Sequence, residues 1–268
     1  MPYFATRDNC KIYYEEKGTG KPVVFIHGWS ANRHYYKMQI PEFRKKYKVL
    51  SYDLRGHGDS ERPETGLTIP NFARDLNELI EYKGYENVTL IGWSMGVHII
   101  FDYIKQFGTE NIDKLVLLDM TPKMITDDEW TYGVRGSYSL QEAVDFLSAI
   151  ATNWDVIPEI FVPNSFANDP SFENEVAWVI SQAKKNTVHV MVNMWLSLIR
   201  QDYRNLLPSI NVPTLITYGT SKSLYGPECS EYMKDKIPNA KILPLNGGHS
   251  SHMQDYDTFN KAVFDFMG

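Results

Sequence analysis

Short apolar runs alternate with amphipathic helical patterns along most of this chain, and that alternation constrains the fold more than any other feature. The strand-like runs lie at 23–26, 49–52, 88–91, 115–118, 214–217 and 241–245. The helical patterns between and after them cover about 35–46, 70–84, 95–107 and 257–267. Strands separated by helices predict a mostly parallel, twisted sheet flanked by helices, because such strands are joined by right-handed crossovers.

The alternation stops after Pro122 and returns at about residue 208. The region between contains helical patterns at 139–150, 173–185 and 188–199 and no convincing strand. The simplest interpretation is an α/β core domain formed by 1–122 and 208–268, with a helical cap inserted at 123–207.

Length and composition are ordinary for a soluble globular enzyme. A chain of 268 residues can bury one α/β core with an insertion, and its net charge of −6 argues against nucleic acid and anionic membranes as partners. No apolar run approaches the roughly 18 residues of a membrane-spanning helix, and the first residues lack a signal-peptide pattern. The two cysteines, Cys10 and Cys229, form no disulfide framework. We therefore expect a cytoplasmic protein.

The strongest chemical signal is the Gly-Trp-Ser-Met-Gly motif at 92–96, which follows the apolar run 88–91 and leads directly into a helical pattern. A serine in this context occupies a nucleophile elbow, a strained turn from strand to helix. The turn would present the Ser94 hydroxyl at the carboxyl edge of the sheet, where open α/β sheets bind their ligands. We therefore predict that Ser94 is a nucleophile.

A base for Ser94 follows the last strand-like run, in the Gly-Gly-His motif at 247–249. In acyl transfer, the imidazole takes the serine proton and returns it to the leaving group. His252 is the rival candidate, but His249 directly follows the strand and two flexible glycines. The remaining histidines are expected to be loop or packing residues: His27, His34, His57, His98 and His189.

Four motifs resemble those of the α/β-hydrolase superfamily and occur in its order. They are His-Gly-Trp at 27–29, Asp-Leu-Arg-Gly-His-Gly-Asp-Ser at 53–60, and the two motifs at 92–96 and 247–249. The capped serine esterase and cofactor-free (non-heme) haloperoxidase-like branch is the most similar part of that superfamily. The resemblance covers essentially the whole chain except the cap, and it implies the α/β-hydrolase fold.

The resemblance also implies roles for individual residues. The backbone N–H groups of Trp29 and Met95 would form the oxyanion hole, which stabilises the negative charge of the tetrahedral intermediate. His27 would be structural, with its ring bonded to nearby loop backbone. The charged run at 53–60 would organise a turn and take no part in catalysis.

The sequence departs from the superfamily at the acid of the catalytic triad. That acid usually follows the strand that here is 214–218, in a pattern like Gly-x-x-Asp, but Lys222 stands at the expected position. A lysine cannot orient and stabilise an imidazolium. Some relatives carry the acid after the preceding strand, where this chain has Asp119. The triad Ser94–Asp119–His249 is therefore favoured, with Glu228 as the fallback acid and a Ser–His dyad as the third alternative.

The cap segment is rich in aromatic and methionine side chains, most of which are expected to pack its own core. They are Trp130, Tyr132, Phe146, Trp154, Phe161, Phe166, Trp178, Met191, Met194 and Trp195. Two or three of them would face the substrate, and no arginine cluster is present to bind a phosphate or carboxylate. The expected substrate is a small to medium, largely apolar, uncharged carboxylic ester.

Several related activities remain open. A lactone, a thioester, a carbon–carbon bond next to a ketone and perhydrolysis all suit the same triad, and a small-molecule receptor of this fold is the alternative outside enzymes. The serine at the elbow argues against haloalkane dehalogenase and epoxide hydrolase chemistry, which use an aspartate there in the superfamily. No metal-binding spacing and no glycine-rich dinucleotide loop is found, so we expect no metal, nicotinamide or flavin cofactor.

Overall fold

The computed structural model describes residues 3–268. The fold is built on one eight-stranded sheet. The strands are β1 (Tyr3–Ala5), β2 (Lys11–Lys17), β3 (Pro22–Ile26), β4 (Lys48–Tyr52), β5 (Val88–Trp93), β6 (Ile112–Leu118), β7 (Thr214–Gly219) and β8 (Ala240–Leu245). Their order across the sheet is β1-β2-β4-β3-β5-β6-β7-β8. Only the pairs β1/β2 and β2/β4 are antiparallel, so the prediction of a mostly parallel sheet is confirmed.

Ten α-helices accompany the sheet within the described residues. They are α1 (Ile40–Phe43), α2 (Ile69–Lys83), α3 (Met95–Phe107), α4 (Leu140–Asn153), α5 (Ile157–Ser165), α6 (Glu173–Ala183), α7 (Val188–Ile199), α8 (Pro227–Lys236), α9 (Ser251–Gln254) and α10 (Tyr256–Met267). Short 3₁₀ turns lie at Arg33–Tyr36, Val134–Gly136, Pro170–Phe172 and Leu207–Ser209.

Successive side chains of the central strands point to opposite faces of the sheet, and helices cover both faces, so both are buried. In β6, Leu115 and Leu117 join the hydrophobic layer that contains α2 and α3, whereas Val116 and Leu118 join the layer that contains α10. Helices on both faces leave the ends of the strands as the accessible parts of the sheet. The carboxyl ends of β3, β5, β6, β7 and β8 meet at one edge, where the candidate site lies.

The prediction of a single helix at about 35–46 is wrong. The structure has a 3₁₀ turn at Arg33–Tyr36 and, after a break, the short helix α1. Pro41 explains the break, because inside a continuous helix it would lack the N–H needed by the preceding turn and would clash with the carbonyl of residue 37. It is instead accommodated in the first turn of α1.

Three helices had no counterpart among the helical patterns predicted from the sequence, namely α5, α8 and the single-turn α9. The helix α5 contains Pro158 and Pro163, which obscure its pattern. The helix α8 is mostly polar and buries only Cys229, Ser230 and Met233. Amphipathic periodicity is weak in α5 and α8, so packing against the rest of the molecule stabilises these two helices.

The helices α4 to α7 all lie between β6 and β7 in the sequence, although these two strands are neighbours in the sheet. Division into a core of 1–122 and 208–268 and a cap of 123–207 remains a prediction. Within residues 3–268, none of the helices has both the length and the apolar character that crossing a bilayer would require.

Candidate active site

Ser94 lies in a sharp turn between β5 and α3. Its backbone has φ 54° and ψ −123°, a conformation rare for a residue with a side chain. The turn fits only because its flanking residues are glycines: a Cβ on Gly96 would lie 2.3 Å from the carbonyl oxygen of Ile26, and one on Gly92 would lie 2.7 Å from the carbonyl oxygen of Gly96. This geometry is that of a nucleophile elbow, and the side chain of Ser94 is half-buried.

Asp119 directly follows β6 and is almost fully buried. It too has a positive φ, 46°, and its backbone N–H donates to the carbonyl of Thr217 on the neighbouring strand at 2.8 Å. Its Oδ2 atom lies 2.5 Å from Nδ1 of His249 and 2.5 Å from Oγ of Ser223, and its Oδ1 accepts from the backbone N–H of Gly219 at 3.2 Å. The carboxylate therefore has three donors around it.

His249 follows β8 on a loop that approaches the end of β7 very closely. A Cβ on Gly219 would lie 2.1 Å from the carbonyl oxygen of Gly248, so two backbones touch here. The indole N–H of Trp93 donates to the carbonyl of His249 at 2.8 Å, and the two rings lie 5.2 Å apart. Because Asp119 occupies Nδ1, the remaining ring nitrogen, Nε2, is the one available for a serine proton.

The alternative site residues from the sequence lie elsewhere. Glu228 is exposed in the first turn of α8, and Lys222 is exposed in the loop before it. His252 is fully buried among Trp93, Tyr36 and Phe259, and neither ring nitrogen has a partner in residues 3–268. Burial lowers its pKa to about 3, with a smaller contribution from nearby His249. The structure therefore brings His249, and not His252, to an acid.

Two backbone N–H groups near Ser94 suit an oxyanion hole. Met95 is the first residue of α3, so its N–H is among those left without an intrahelical acceptor. The N–H of Trp29 donates to no acceptor within the described chain. A Cβ on Gly28 would lie 3.0 Å from Cβ of Ser94, which shows how closely the loop after β3 approaches the elbow. Their role in catalysis remains a prediction.

Two buried histidines hold the loop after β3, which carries Trp29, against the loop after β4. Nε2 of His27 accepts the N–H of Leu54 at 3.0 Å, and Nε2 of His57 accepts the N–H of Ser30 at 3.2 Å. Burial lowers the pKa of His27 to about 4 and holds that of His57 well below its usual range. Both rings are therefore neutral acceptors at pH 7, which agrees with a structural role.

The charged run at 53–60 forms buried ion pairs away from the triad candidates. Asp53 binds the guanidinium of Arg33 and accepts the backbone N–H of Asp59. Arg55 is paired with Asp75 at 2.5 Å and with Asp8 at 2.7 Å. These contacts stabilise the loop after β4 and leave none of its carboxylates at Ser94.

An aromatic cluster surrounds the side chain of Trp29. Four rings lie 5.1–6.1 Å from it, all of them from α4 to α7 or the junctions between those helices: Phe146, Trp154, Phe161 and Trp195. The indole N–H of Trp29 donates to the carbonyl of Met191 at 3.2 Å. The residue whose backbone would bind the oxyanion therefore carries a side chain embedded in apolar rings.

Ser223 and Tyr225 are the site residues that sequence reasoning missed. Ser223 contacts Asp119, and the Tyr225 ring lies 5.9 Å from that of His249. The only signal was their position in the loop where the superfamily usually has its acid. Within residues 3–268 no group of three or more His, Cys, Asp or Glu side chains is placed to hold a metal ion.

Comparison with known proteins identifies the class. The family described as alpha/beta hydrolase fold matches residues 21–256, so this chain belongs to the α/β-hydrolase family. The non-heme chloroperoxidase CPO-A1 of Kitasatospora aureofaciens is 30% identical over 279 residues, covering 100% of this chain and 99% of that one.

Two solved structures extend the comparison. The esterase EaEST from Exiguobacterium antarcticum has a TM-score of 0.92 and 28% identity, with 98% of each chain covered. A bromoperoxidase from Bacillus anthracis has a TM-score of 0.90 and 29% identity, covering 96% of this chain and 95% of that one. The predicted fold and the resemblance to the esterase and haloperoxidase-like branch are thus confirmed, and the chain is a member of a hydrolase family with esterase relatives.

Proposed function

We propose that this protein hydrolyses carboxylic esters of small to medium, uncharged and largely apolar compounds through an acyl-enzyme on Ser94. The observation that carries the proposal is the buried contact between His249 and Asp119, 2.5 Å long, at the sheet edge where the strained elbow presents Ser94. A buried carboxylate on one ring nitrogen fixes the imidazole so that the other nitrogen serves as the base.

The reaction divides into two acyl transfers. In the first, Oγ of Ser94 attacks the ester carbonyl while Nε2 of His249 takes the hydroxyl proton, and Asp119 stabilises the imidazolium that forms. The backbone N–H groups of Trp29 and Met95 bind the developing oxyanion. Collapse of the intermediate releases the alcohol, which receives the proton from His249 and leaves the acyl group on Ser94.

In the second transfer, water attacks the acyl group with His249 again acting as the base. The carboxylic acid then leaves and Ser94 regains its proton. Each step uses only groups that the fold already brings to one edge of the sheet. The apolar rings around Trp29 favour an uncharged acyl group, because a charge placed among them would lose its hydration without a partner.

Steady-state hydrolysis of p-nitrophenyl esters from acetate to octanoate tests the proposal. Wild type should turn over at least one ester in the ordinary enzymatic range of about 1–10³ s⁻¹. Ser94→Ala should abolish that turnover, whereas Ser221→Ala, which removes an exposed hydroxyl from the loop after β7, should retain it. Activity that survives in Ser94→Ala would reject Ser94 as the nucleophile.

Peracid formation is the second candidate, and the names of the chloroperoxidase and bromoperoxidase relatives favour it. In this reaction hydrogen peroxide replaces water in the second transfer, so the acyl group leaves Ser94 as a peroxycarboxylic acid. Adding acetate, hydrogen peroxide and bromide should then brominate a phenol-type acceptor, and Ser94→Ala should not. Bromination that is equal in both proteins would count against this candidate.

A further inference from the structure

The carboxylate of Asp119 is held from two sides by the loop between β7 and α8. The backbone N–H of Gly219 donates to Oδ1 at 3.2 Å, and the hydroxyl of Ser223 donates to Oδ2 at 2.5 Å. Oδ2 is the same oxygen that contacts Nδ1 of His249. One carboxylate oxygen therefore has the base on one side and a serine hydroxyl on the other.

The loop that supplies Ser223 is itself tied to the strand that leads to the base. Its Thr220 N–H donates to the carbonyl of Leu245 at 2.9 Å, and its Ser221 N–H donates to the carbonyl of Gly247 at 2.8 Å. Lys222, next to Ser223, has φ 50°, so the chain turns there and its ammonium group remains exposed. These bonds fix the loop relative to both Asp119 and His249.

We infer that Ser223 is a positioning residue for the triad acid, an inference that rests on the proposed function. Asp119 has two side-chain torsions, and the backbone bond to Oδ1 alone leaves Oδ2 free to move. The hydroxyl of Ser223 holds Oδ2 on the Nδ1 side of His249 and stabilises its negative charge as the imidazolium forms. Within residues 3–268 the Ser223 hydroxyl donates to Asp119 and has no hydrogen bond to Ser94, so it acts through Asp119.

Ser223 gives the loop after β7 a role beside the base although Lys222 stands where the superfamily usually has its acid. The loop after β7 keeps its place beside the base, but it contributes a hydrogen-bond donor in place of a carboxylate. The carboxylate comes from the end of β6, one strand away in the sheet.

The test compares Ser223→Ala, Ser223→Thr and the matched loop control Ser221→Ala. The first readout is the rate at which an alkyl fluorophosphonate labels Ser94, which needs no natural substrate. A hydrogen bond to a charged group typically contributes about 10- to 100-fold. We expect labelling by Ser223→Ala to slow by about that factor, with Ser223→Thr and Ser221→Ala within about threefold of wild type.

The second readout is the proton resonance of His249 Nδ1, which reports the bond to Asp119 without any reaction. It should move or broaden in Ser223→Ala, and remain in place in Ser221→Ala. With an ester as substrate, kcat should fall in Ser223→Ala with KM nearly unchanged, because the ground-state complex does not involve Ser223.

The outcomes separate the two proposals. Wild-type labelling rates and an unmoved resonance in Ser223→Ala would overturn the inference, as would slow labelling that Ser223→Thr fails to restore. If wild type itself is not labelled, the proposed function fails. The resonance alone would then decide whether Ser223 positions Asp119.

Discussion

Two residues of the site hold backbone conformations that side chains usually avoid. Ser94 has φ 54° and Asp119 has φ 46°, and each directly follows a strand. Such conformations cost about 1–3 kcal/mol each and persist only where the surroundings impose them. Here the carbonyl of Leu118 accepts the N–H of Ser94, and the carbonyl of Thr217 accepts the N–H of Asp119. Each strand end thus fixes the functional residue of its neighbour.

The Asp119→Asn substitution tests the acid at the level of one atom. Asparagine tolerates the left-handed conformation, so the fold should be retained. It cannot stabilise an imidazolium and favours the wrong tautomer of His249, so kcat for ester hydrolysis should fall by about 10⁴-fold. Thermal unfolding measured alongside the kinetics would show that the loss is chemical.

Glu228→Gln is the matched control for that substitution. Glu228 is exposed, and we expect its variant to keep kcat within about twofold of wild type, as for a surface change away from the site. Loss of activity in Glu228→Gln together with retention in Asp119→Asn would move the acid to α8.

At the scale of elements, the site depends on close contact between backbones at the carboxyl edge of the sheet. The loop after β3 approaches the start of α3, and the loop after β8 approaches the end of β7. Both contacts are possible only because a glycine lacks a side chain. Ser94, the backbone of Trp29 and His249 are consequently held by backbone contacts between neighbouring elements.

Gly96→Ala should disturb this arrangement more than an alanine at a glycine outside it. Its Cβ would lie 2.3 Å from the carbonyl oxygen of Ile26, so α3 must shift, at a cost of about 1–3 kcal/mol in unfolding free energy and a large loss of kcat. Gly84→Ala meets nothing within 4 Å and strains only the end of α2. Urea unfolding and ester turnover of both variants test this. Equal kcat values in the two would contradict it.

The aromatic cluster should limit the size of the acyl group. The Trp195 ring lies 5.1 Å from Trp29 and 4.8 Å from Phe146, so Trp195→Ala would remove one of the rings that surround Trp29. We expect the ratio of kcat/KM for octanoate to that for acetate to rise by about tenfold, since one methylene in an apolar pocket is worth about that much or more.

Trp178→Ala is the matched control for the cluster. Trp178 lies on α6 and packs on Tyr35, with no recorded ring contact to Trp29 in the described residues. Its acyl-length preference should match that of wild type. A shift of similar size in both variants would indicate general loosening of the helices and not a specific pocket.

At the scale of the whole molecule, the sequence predicted the six parallel strands of the sheet and the order of the site motifs, because both depend on local patterns. The elbow at Ser94 and the glycines before His249 are short-range signals next to strands. Asp119 could be inferred because some members of the superfamily carry their acid after the strand that follows the elbow, and because neighbouring parallel strands end at the same edge. The contact of Ser223 could not, since it depends on how one loop turns at Lys222 and packs against another.

The errors in the elements have two different causes. Pro41 was visible in the sequence, and its effect on the expected helix at 35–46 follows from the missing N–H. The helix α8 shows little periodicity, so only its packing against β7 and β8 determines it. The catalytic roles of the site residues remain predictions.

Buried neutral histidines should make the stability of the molecule depend on pH. Burial lowers the pKa of His27 and His98 to about 4 and that of His252 to about 3, whereas an unfolded chain has histidine pKa values near 6.5. Below about pH 6.5 the unfolded chain therefore binds more protons than the folded one. The contribution of these neutral histidines to the unfolding free energy should be complete above that pH and should decrease as the pH falls towards 4.

His252→Phe isolates one of these protons. We expect its unfolding free energy to fall less steeply than that of wild type between pH 6.5 and 4, by about 1.4 kcal/mol per pH unit for one proton. Thermal or urea unfolding across this range gives the difference. If the unfolding free energies of wild type and His252→Phe fall equally steeply with pH, His252 is not buried as a neutral group.

If an acyl group passes through Ser94 during hydrolysis, that group can be trapped on the protein. Wild-type protein mixed with p-nitrophenyl acetate and quenched with acid within milliseconds should carry one acetyl group. Peptide mapping by mass spectrometry should place that group on Ser94, and Ser94→Ala should carry none. An acetyl group found on another residue, or rapid turnover in Ser94→Ala, would contradict the account.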